Sequence, residues 1–496
     1  MNRPPLIYGS RFYYYFHCDI LVLMPTYQVN DAIHKIISFS EREKAVIDHP
    51  YFQRLRYIRQ LAFVSFVYPG AVHDRFSHSL GAMHVASRMA EQFLYNNEGY
   101  SILARILSEK EKEFLKSVAR LSALLHDIGH PPFSHAAELG MPKFKELKLP
   151  KSWFLKNDES RKATHEDYSV LIIKGLAEGK NAVLSKDEAE IISSLVHKQT
   201  AVPQSWIRMF SKNVNSENLH KLARSWISGD VDADRMDYLL RDSYFTGVPY
   251  GSYDLSWLIN NLGVIARNNA YVTSISESGV HSFEHYILAR FNMFAQVYFH
   301  KTVRCFEHYL GNALTKKEIA YQLPPETKDY VALRDSTFTE GLFRKARTSP
   351  YSWSGRLMRR EPAHRIARIW GDFKKVNDVF TAFKKDLAGI KVRPFLIFSK
   401  SKFLDYEEGL DKKGNMTEPL FSAFSMTPIV VARKQFGVGT SVKIDDFSFV
   451  LKHYHKDISM GDIFILKEEY QNKQEKILEH SRKHLQPAPS EFILEE

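Results

Sequence analysis

From Val29 to about Leu323 apolar residues recur at spacings of three and four, as in Leu80–Phe93, Phe114–Leu125 and His281–Leu314. That period restricts the stretch to packed helices, and strand-like alternation is scarce in it. Turns are expected at Pro69-Gly70, from Gly129 through Pro132 and from Gly247 through Gly251, because glycine and proline stop helices. The composition shifts after Leu323-Pro324-Pro325. Helical stretches at Glu340–Arg347 and Ala363–Val376 give way to β-rich runs at Arg393–Phe398, Pro428–Ala432 and Phe447–His453, and Lys467–His484 reads as a charged surface helix. The expected fold is mainly α: an N-terminal extension at 1–24, an all-helical core at 25–325, and a smaller mixed α/β C-terminal domain at 326–496, regulatory or oligomerising.

A net charge of +11 calls for anionic partners, which include nucleic acid, an anionic membrane surface and small polyphosphates. Cys18 and Cys305 are the only cysteines. They allow at most one disulfide and no CxxC zinc site, so any metal must be held by histidines and carboxylates. The segment Tyr8–Pro25 resembles a targeting sequence superficially, but Arg11, His17 and Asp19 interrupt it, and its apolar run is too short to span a bilayer. The reading is a cytoplasmic globular protein with no membrane partner; residues before Met24 form a peripheral extension or reflect a start placed too early.

The chemistry concentrates at His126-Asp127, which closes the apolar helical run Leu121–Leu125 just before Gly129 and Pro131. An ionised aspartate buried beside a histidine is costly unless compensated, and a cation compensates best. A satisfied helix C-terminus is the alternative for a bare His-Asp pair. His78 lies upstream in Arg75-Phe76-Ser77-His78-Ser79-Leu80-Gly81, and Asp234 lies downstream in Asp232-Ala233-Asp234-Arg235-Met236-Asp237-Tyr238. Two imidazoles and two carboxylates suit a borderline divalent ion such as Mn, Fe or Zn, with positions left for water. Adjacent residues do not share a helix face, so spacing alone leaves open whether His126 and Asp127 grip one ion.

The order His, His-Asp, Asp resembles the HD-domain superfamily, and more narrowly its deoxynucleoside triphosphate triphosphohydrolases. The resemblance rests on residues 48–61, 75–81, 126–135 and 232–242 and on Tyr298-Phe299-His300-Lys301. It implies a divalent cofactor (Mn, Fe, Mg or Zn) on His78, His126, Asp127 and Asp234, and hydrolysis of a dNTP to deoxynucleoside and tripolyphosphate. By the same resemblance Arg75, Arg235, Arg290 and Lys301 clamp the triphosphate, as cations suit polyanions. His130, His135 and His165 match positions that surround the family's scissile phosphate. Glu138, three residues after His135, can orient and charge it as general acid. Gln60 and Asp242 match residues assigned to the 3′-hydroxyl, and Leu61, Tyr238 and Tyr298 match the ribose wall, which disfavours a further hydroxyl. For Leu61 and both tyrosines plain core packing is the competing role. The chain departs from the family at Ala62-Phe63-Val64, where relatives often carry glycines.

Asp48, Gln53 and Arg56 match positions that read a guanine nucleotide at an inter-subunit activator site, although Tyr27 stands where the animal relative has a lysine. The resemblance therefore also implies a nucleotide effector and a homo-oligomer, whether dimer, tetramer or hexamer. Pool balance and starvation of an invading phage are both open as purposes. Two other classes compete: an HD phosphodiesterase or nuclease on a cyclic nucleotide or single-stranded nucleic acid, which the basic charge would serve, and a nucleotide sensor that binds without turnover.

Overall fold

A computed structural model of the chain describes residues 11–15, 22–96, 101–155, 158–267, 269–401, 430–435, 438–443, 448, 458–484 and 492–494. The chain opens with an antiparallel sheet of β1 (Arg11–Tyr15), β2 (Val22–Asp31) and β3 (Lys35–Ser40), in that order. Ser40 then caps α1 (Glu41–Asp48): its hydroxyl accepts from the Glu43 N–H while the Glu43 carboxylate accepts from the Ser40 N–H, a reciprocal cap contributing about 1 kcal/mol. Helices α2 (Arg75–Tyr95), α3 (Glu109–Leu125), α4 (His165–Gly175), α5 (Lys186–Val196), α6 (Ser216–Ile227) and α7 (Ala233–Thr246) form the body. Asp74, Ser108, Thr164, Ser185, Asn215 and Asp232 supply their N-caps.

Apolar stripes on these helices meet in two cores. One joins Met89, Phe93, Leu115, Leu195, Trp226 and Met236; the other joins Leu124, Ile128, Tyr168, Ile172 and Ile192 with Ile37 and Phe39 of β3. Two glycines set close approaches. A Cβ on Gly81 would stand 1.9 Å from Asp237 Oδ1, so α2 and α7 touch through a position where no larger residue fits. A Cβ on Gly129 would stand 2.2 Å from both His165 O and Ser169 N, which lets the turn after α3 lie against α4.

The chain is mainly α with small sheets, as the periodicity predicts. The differences are local. The stretch 25–325 also holds β2 and β3 and a second hairpin, β4 (Leu262–Arg267) and β5 (Ala270–Ser276), too short for their alternation to stand out. The helical run His281–Leu314 is two helices, α8 (Val280–Met293) and α9 (Lys301–Thr315), parted by a wide turn over Phe294–Tyr298. Past Leu323, α10 (Asp335–Thr348) contains the predicted Glu340–Arg347.

Ala363–Val376 is not one helix. It is β6 (His364–Trp370) followed by the start of α11 (Phe373–Ala388), because Ile366, Ala367 and Ile369 are buried in a sheet. That sheet runs β11–β6–β10–β7, with β7 Phe395–Ser401, β10 Ile458–Ile465 and β11 Phe492–Leu494. The strands β8 (Val430–Gln435) and β9 (Val438–Lys443) extend the β4–β5 hairpin, β8 pairing parallel with β5. Lys467–His484 breaks into two helices at Asn472-Lys473. Of Phe447–His453 only Ser448 lies among the described residues.

Substituting Gly81→Ala drives a methyl into the Asp237 carboxylate and forces α2 and α7 apart. Urea denaturation should show a loss of about 1–3 kcal/mol, the usual cost of overpacking, and an unchanged midpoint would mean the contact yields freely.

Candidate active site

Three helix ends deliver the four predicted metal ligands to one point. His78 lies in the first turn of α2, His126 caps the C-terminus of α3 with Asp127 next to it, and Asp234 lies in the first turn of α7. His78 Nε2 stands 3.0 Å from Asp234 Oδ1 and 3.6 Å from Asp127 Oδ2, and His126 Nε2 stands 3.3 Å from Asp127 Oδ1 and 3.4 Å from Asp234 Oδ1. Helix termini leave side chains free to converge where helix faces cannot. This is why adjacent His126 and Asp127 reach the same point.

The donor set fits a divalent cation. Both Nε2 atoms are buried and make no well-aligned hydrogen bond, while both Nδ1 atoms are engaged: His126 Nδ1 lies 2.7 Å from the Ala123 carbonyl and His78 Nδ1 lies 2.8 Å from Asp237 Oδ2. A ring N–H fixed on one side leaves the other nitrogen's lone pair for metal. The charge around His78 points the same way. Burial alone would lower its pKa, yet Asp234 and Asp237 raise it to about 10, so this spot attracts positive charge. Burial would likewise raise the Asp127 carboxyl, but Arg75, His126 and His130 hold it well below its ordinary value and keep it an anion.

Behind the ligands stands a buried network that the sequence reading missed. Asp237 accepts from Arg241 at 2.8 and 2.9 Å and lies 2.6 Å from His34 Nε2, while Arg241 also donates to Asp31 at 2.8 and 3.2 Å. The i,i+4 pair Asp237–Arg241 was visible in the sequence. The turn between β2 and β3, which supplies Asp31 and His34, was not.

Next to the quartet, His130, His135, His165 and Glu138 form a second cluster. His135 Nδ1 and His165 Nδ1 lie 2.9 and 2.7 Å from the same Glu138 oxygen, and His130 stacks on His165 with ring centres 4.0 Å apart. Burial would raise Glu138, but its bonds from His135 and His165 hold it below the ordinary carboxylate range. Burial would lower His165, and Glu138 raises it; His130 is lowered by burial and then by Arg75 and His165, so its ring stays neutral. His130 Nε2 lies 3.2 Å from Asp127 Oδ1 and thereby joins the two clusters.

Both clusters open on one cleft of about 420 Å³. Arg75 lines it, paired with Asp127 and donating to Ser134 Oγ at 2.9 Å. Gln60, Leu61, Tyr238, Asp242 and Tyr298 line the same cleft. Asp242 accepts from Tyr298 at 2.6 Å and lies 2.8 Å from His73 Nε2, and the buried Gln60 Oε1 has no hydrogen-bond donor among the described residues.

The other predicted cations are placed differently. Arg235 lies 3.5 Å from Asp232 and, like the buried Arg290, is not among the side chains lining the cleft. Lys301 lines a separate cavity with Arg365 and Lys467, because the break at Phe299-His300 starts a new helix there. Arg304 and Glu307, one and two turns further along α9, line the cleft instead. Asp48 accepts from Lys44 at 2.6 Å, Gln53 donates to the Ile47 carbonyl at 2.8 Å, and Arg56 donates to Gln53 at 2.8 Å, all around the C-terminal end of α1.

Residues 75–241, the span that carries the quartet, match the HD domain family. The chain contains an HD domain. The chain is 33% identical over 297 residues to an uncharacterized protein of Methanocaldococcus jannaschii, covering 58% of this chain and 49% of that one. It is also 33% identical over 287 residues to an uncharacterized protein of Bacillus subtilis, covering 57% and 54%. Against the deoxynucleoside triphosphate triphosphohydrolase SAMHD1 homolog of Dictyostelium discoideum it is 28% identical over 326 residues, 65% of this chain and 55% of that one. The chain thus spans about half the length of the curated relatives it matches. A phosphohydrolase structure from Bacteroides thetaiotaomicron superposes with a TM-score of 0.60 at 21% identity, over 89% of this chain and 100% of that one, a likeness of fold. No helix among the described residues is long and apolar enough to cross a membrane.

His126→Ala or Asp127→Ala in the HD domain should abolish metal retention, measured by elemental analysis after gel filtration, with helical circular dichroism preserved. Asp237→Asn should weaken metal affinity by roughly 10–100-fold, the range for an outer partner of a metal-bound histidine. Stoichiometric metal in Asp127→Ala would contradict the assignment.

Proposed function

We propose that the cleft hydrolyses deoxynucleoside triphosphates between the α-phosphorus and the 5′ oxygen, releasing deoxynucleoside and tripolyphosphate. The observation that carries this reading is the convergence, on one cleft, of His126, Asp127 and Asp234 with His78 buried directly behind them, Arg75, the Glu138-linked histidines and the Gln60–Asp242 wall. A divalent cation on the quartet, of the Mn, Fe, Mg or Zn class, would supply Lewis-acid activation of phosphate and water.

Arg75 presents its guanidinium to the phosphates while Asp127 and Ser134 hold it in place. A water oxygen forms the new bond to the α-phosphorus as the bond to the 5′ oxygen breaks. His135, oriented by Glu138 and with its side chain 68% exposed toward the cleft, gives the departing oxygen its proton. His130 is held neutral and does not compete as an acid. The unpartnered Gln60 oxygen accepts from a sugar hydroxyl, and Asp242, fixed by His73 and Tyr298, keeps lone pairs for the 3′ position. Leu61 and the ring faces of Tyr238 and Tyr298 present apolar and aromatic surface to the sugar, and a 2′-hydroxyl buried there without a partner costs about 1–3 kcal/mol. A cleft of about 420 Å³ matches one nucleotide. The relatives named deoxynucleoside triphosphate triphosphohydrolases support the same reading.

Regulation belongs to the proposal. Asp48, Gln53 and Arg56 stand together at the surface, and Lys44 places its ammonium 5.3 Å from the Tyr27 ring, supplying a cation where Tyr27 itself has none. A nucleotide bound there joins copies of the chain into a homo-oligomer and shifts activity by a coupling on the order of 1–3 kcal/mol.

Incubation with each dNTP and NTP, with Mg or Mn, should yield deoxynucleoside and tripolyphosphate, and His135→Ala should slow this by roughly a hundredfold or more with metal retained, Glu138→Gln by less. Monophosphate as the product would favour a phosphodiesterase, and binding without turnover a sensor. Paired nucleotides should raise both rate and oligomer mass by light scattering in the parental protein and in neither respect in Asp48→Ala. Full rate on one dNTP at constant mass would remove the regulatory part.

A further inference from the structure

Phe133 and Ser134, immediately before His135, sit at φ 65° and φ 53°, two consecutive left-handed residues neither of which is glycine. Such a backbone is unfavourable for residues that carry a Cβ and persists only where its surroundings over-determine it. The fixing group comes from outside the HD domain. Asp335, the first residue of α10, accepts the Phe133 N–H at 2.9 Å on one carboxylate oxygen and the Arg59 N–H at 2.9 Å on the other.

The two backbones it ties lead directly into the cleft. Arg59 precedes Gln60 and Leu61, and Phe133 precedes Ser134 and His135. Ser134 closes the arrangement: its hydroxyl donates to the Arg59 carbonyl at 3.0 Å and accepts from Arg75 Nε at 2.9 Å. The preceding part of the loop is held from the same side. Buried Arg54 donates to the His130 carbonyl at 2.8 Å and to the Leu333 carbonyl at 3.0 Å, and the Tyr330 hydroxyl donates to the Gly129 carbonyl at 2.6 Å. Phe133 itself packs among Phe63 and Phe338, the latter on α10.

We infer that Asp335 is a positioning residue that clamps the 130–135 loop to the Arg59–Leu61 segment, so that the acid, the phosphate-facing arginine and the sugar wall keep one geometry. The effect on rate rests on the proposed reaction; the clamp does not. Asp335 touches no substrate and no metal ligand, so its loss acts on turnover without emptying the quartet.

The test pairs hydrogen exchange with kinetics in the full chain. In Asp335→Ala, amides of peptides covering 57–62 and 129–138 should exchange about tenfold faster, with the rest of the chain unchanged, because a local opening has been released. The kcat should fall by roughly 10–100-fold, the scale of a sub-ångström to one-ångström misplacement, with metal content equal to the parent. Asp335→Asn, which keeps one acceptor for one of the two N–H groups, should fall between, and Glu340→Gln on the same helix should match the parent. Unchanged exchange in both peptides would overturn the clamp. Faster exchange with unchanged kcat, or metal loss in step with activity, would overturn the positioning role. If the parent hydrolyses no nucleotide, the proposed reaction fails and the exchange comparison alone decides the clamp.

Discussion

Asp237 is a fully buried carboxylate on which three elements depend at once: α2 through His78, the β2–β3 turn through His34, and its own helix through Arg241. A buried charge stripped of one partner costs on the order of 3–5 kcal/mol, so none of these elements can shift independently. The arrangement also explains Gly81: the carboxylate needs α2 within a distance no side chain would allow. Fixing His78 by its outer nitrogen leaves its inner nitrogen aimed at Asp127 and Asp234. The orientation of His78 and the packing of the helical body are consequences of the same contact.

A second frame is built on the first. His130 links Asp127 to the stacked His165, and Glu138 ties His165 to His135. The left-handed pair Phe133-Ser134 turns this loop toward the cleft, and its hydrogen bonds run to Arg54, Tyr330 and Asp335, which flank the HD domain in sequence. The residues past Leu323 therefore carry part of the site's geometry. Phe338 and Leu342 of α10 share a core with Phe63, Phe133 and Phe306.

The sequence made the body legible because its helices carry both signals a reader can use, a three-four apolar period and capping residues such as Ser108 and Thr164. The four residues proposed to hold metal stood out in the sequence as residue types, and resemblance joined them. Geometry shows why they could be joined: each lies at a helix terminus. Ala363–Val376 misled because Ile366, Ala367 and Ile369 satisfy a helical spacing as well as a buried strand. Lys301 lies apart from the cleft because a helix breaks at Phe299-His300 and restarts there, which nothing local announces. Asp335 and His34 were invisible for a different reason: their partners lie 202 and 203 residues away in the chain, and no local pattern encodes such pairing.

In the proposed reaction water attacks the α-phosphorus and the 5′ oxygen departs with a proton from this chain. Hydrolysis of a dNTP in ¹⁸O-labelled water, followed by mass spectrometry of both products, tests it most directly. The account predicts one ¹⁸O atom in the tripolyphosphate and none in the deoxynucleoside. Label in the deoxynucleoside, or release of pyrophosphate with a labelled monophosphate, would contradict it.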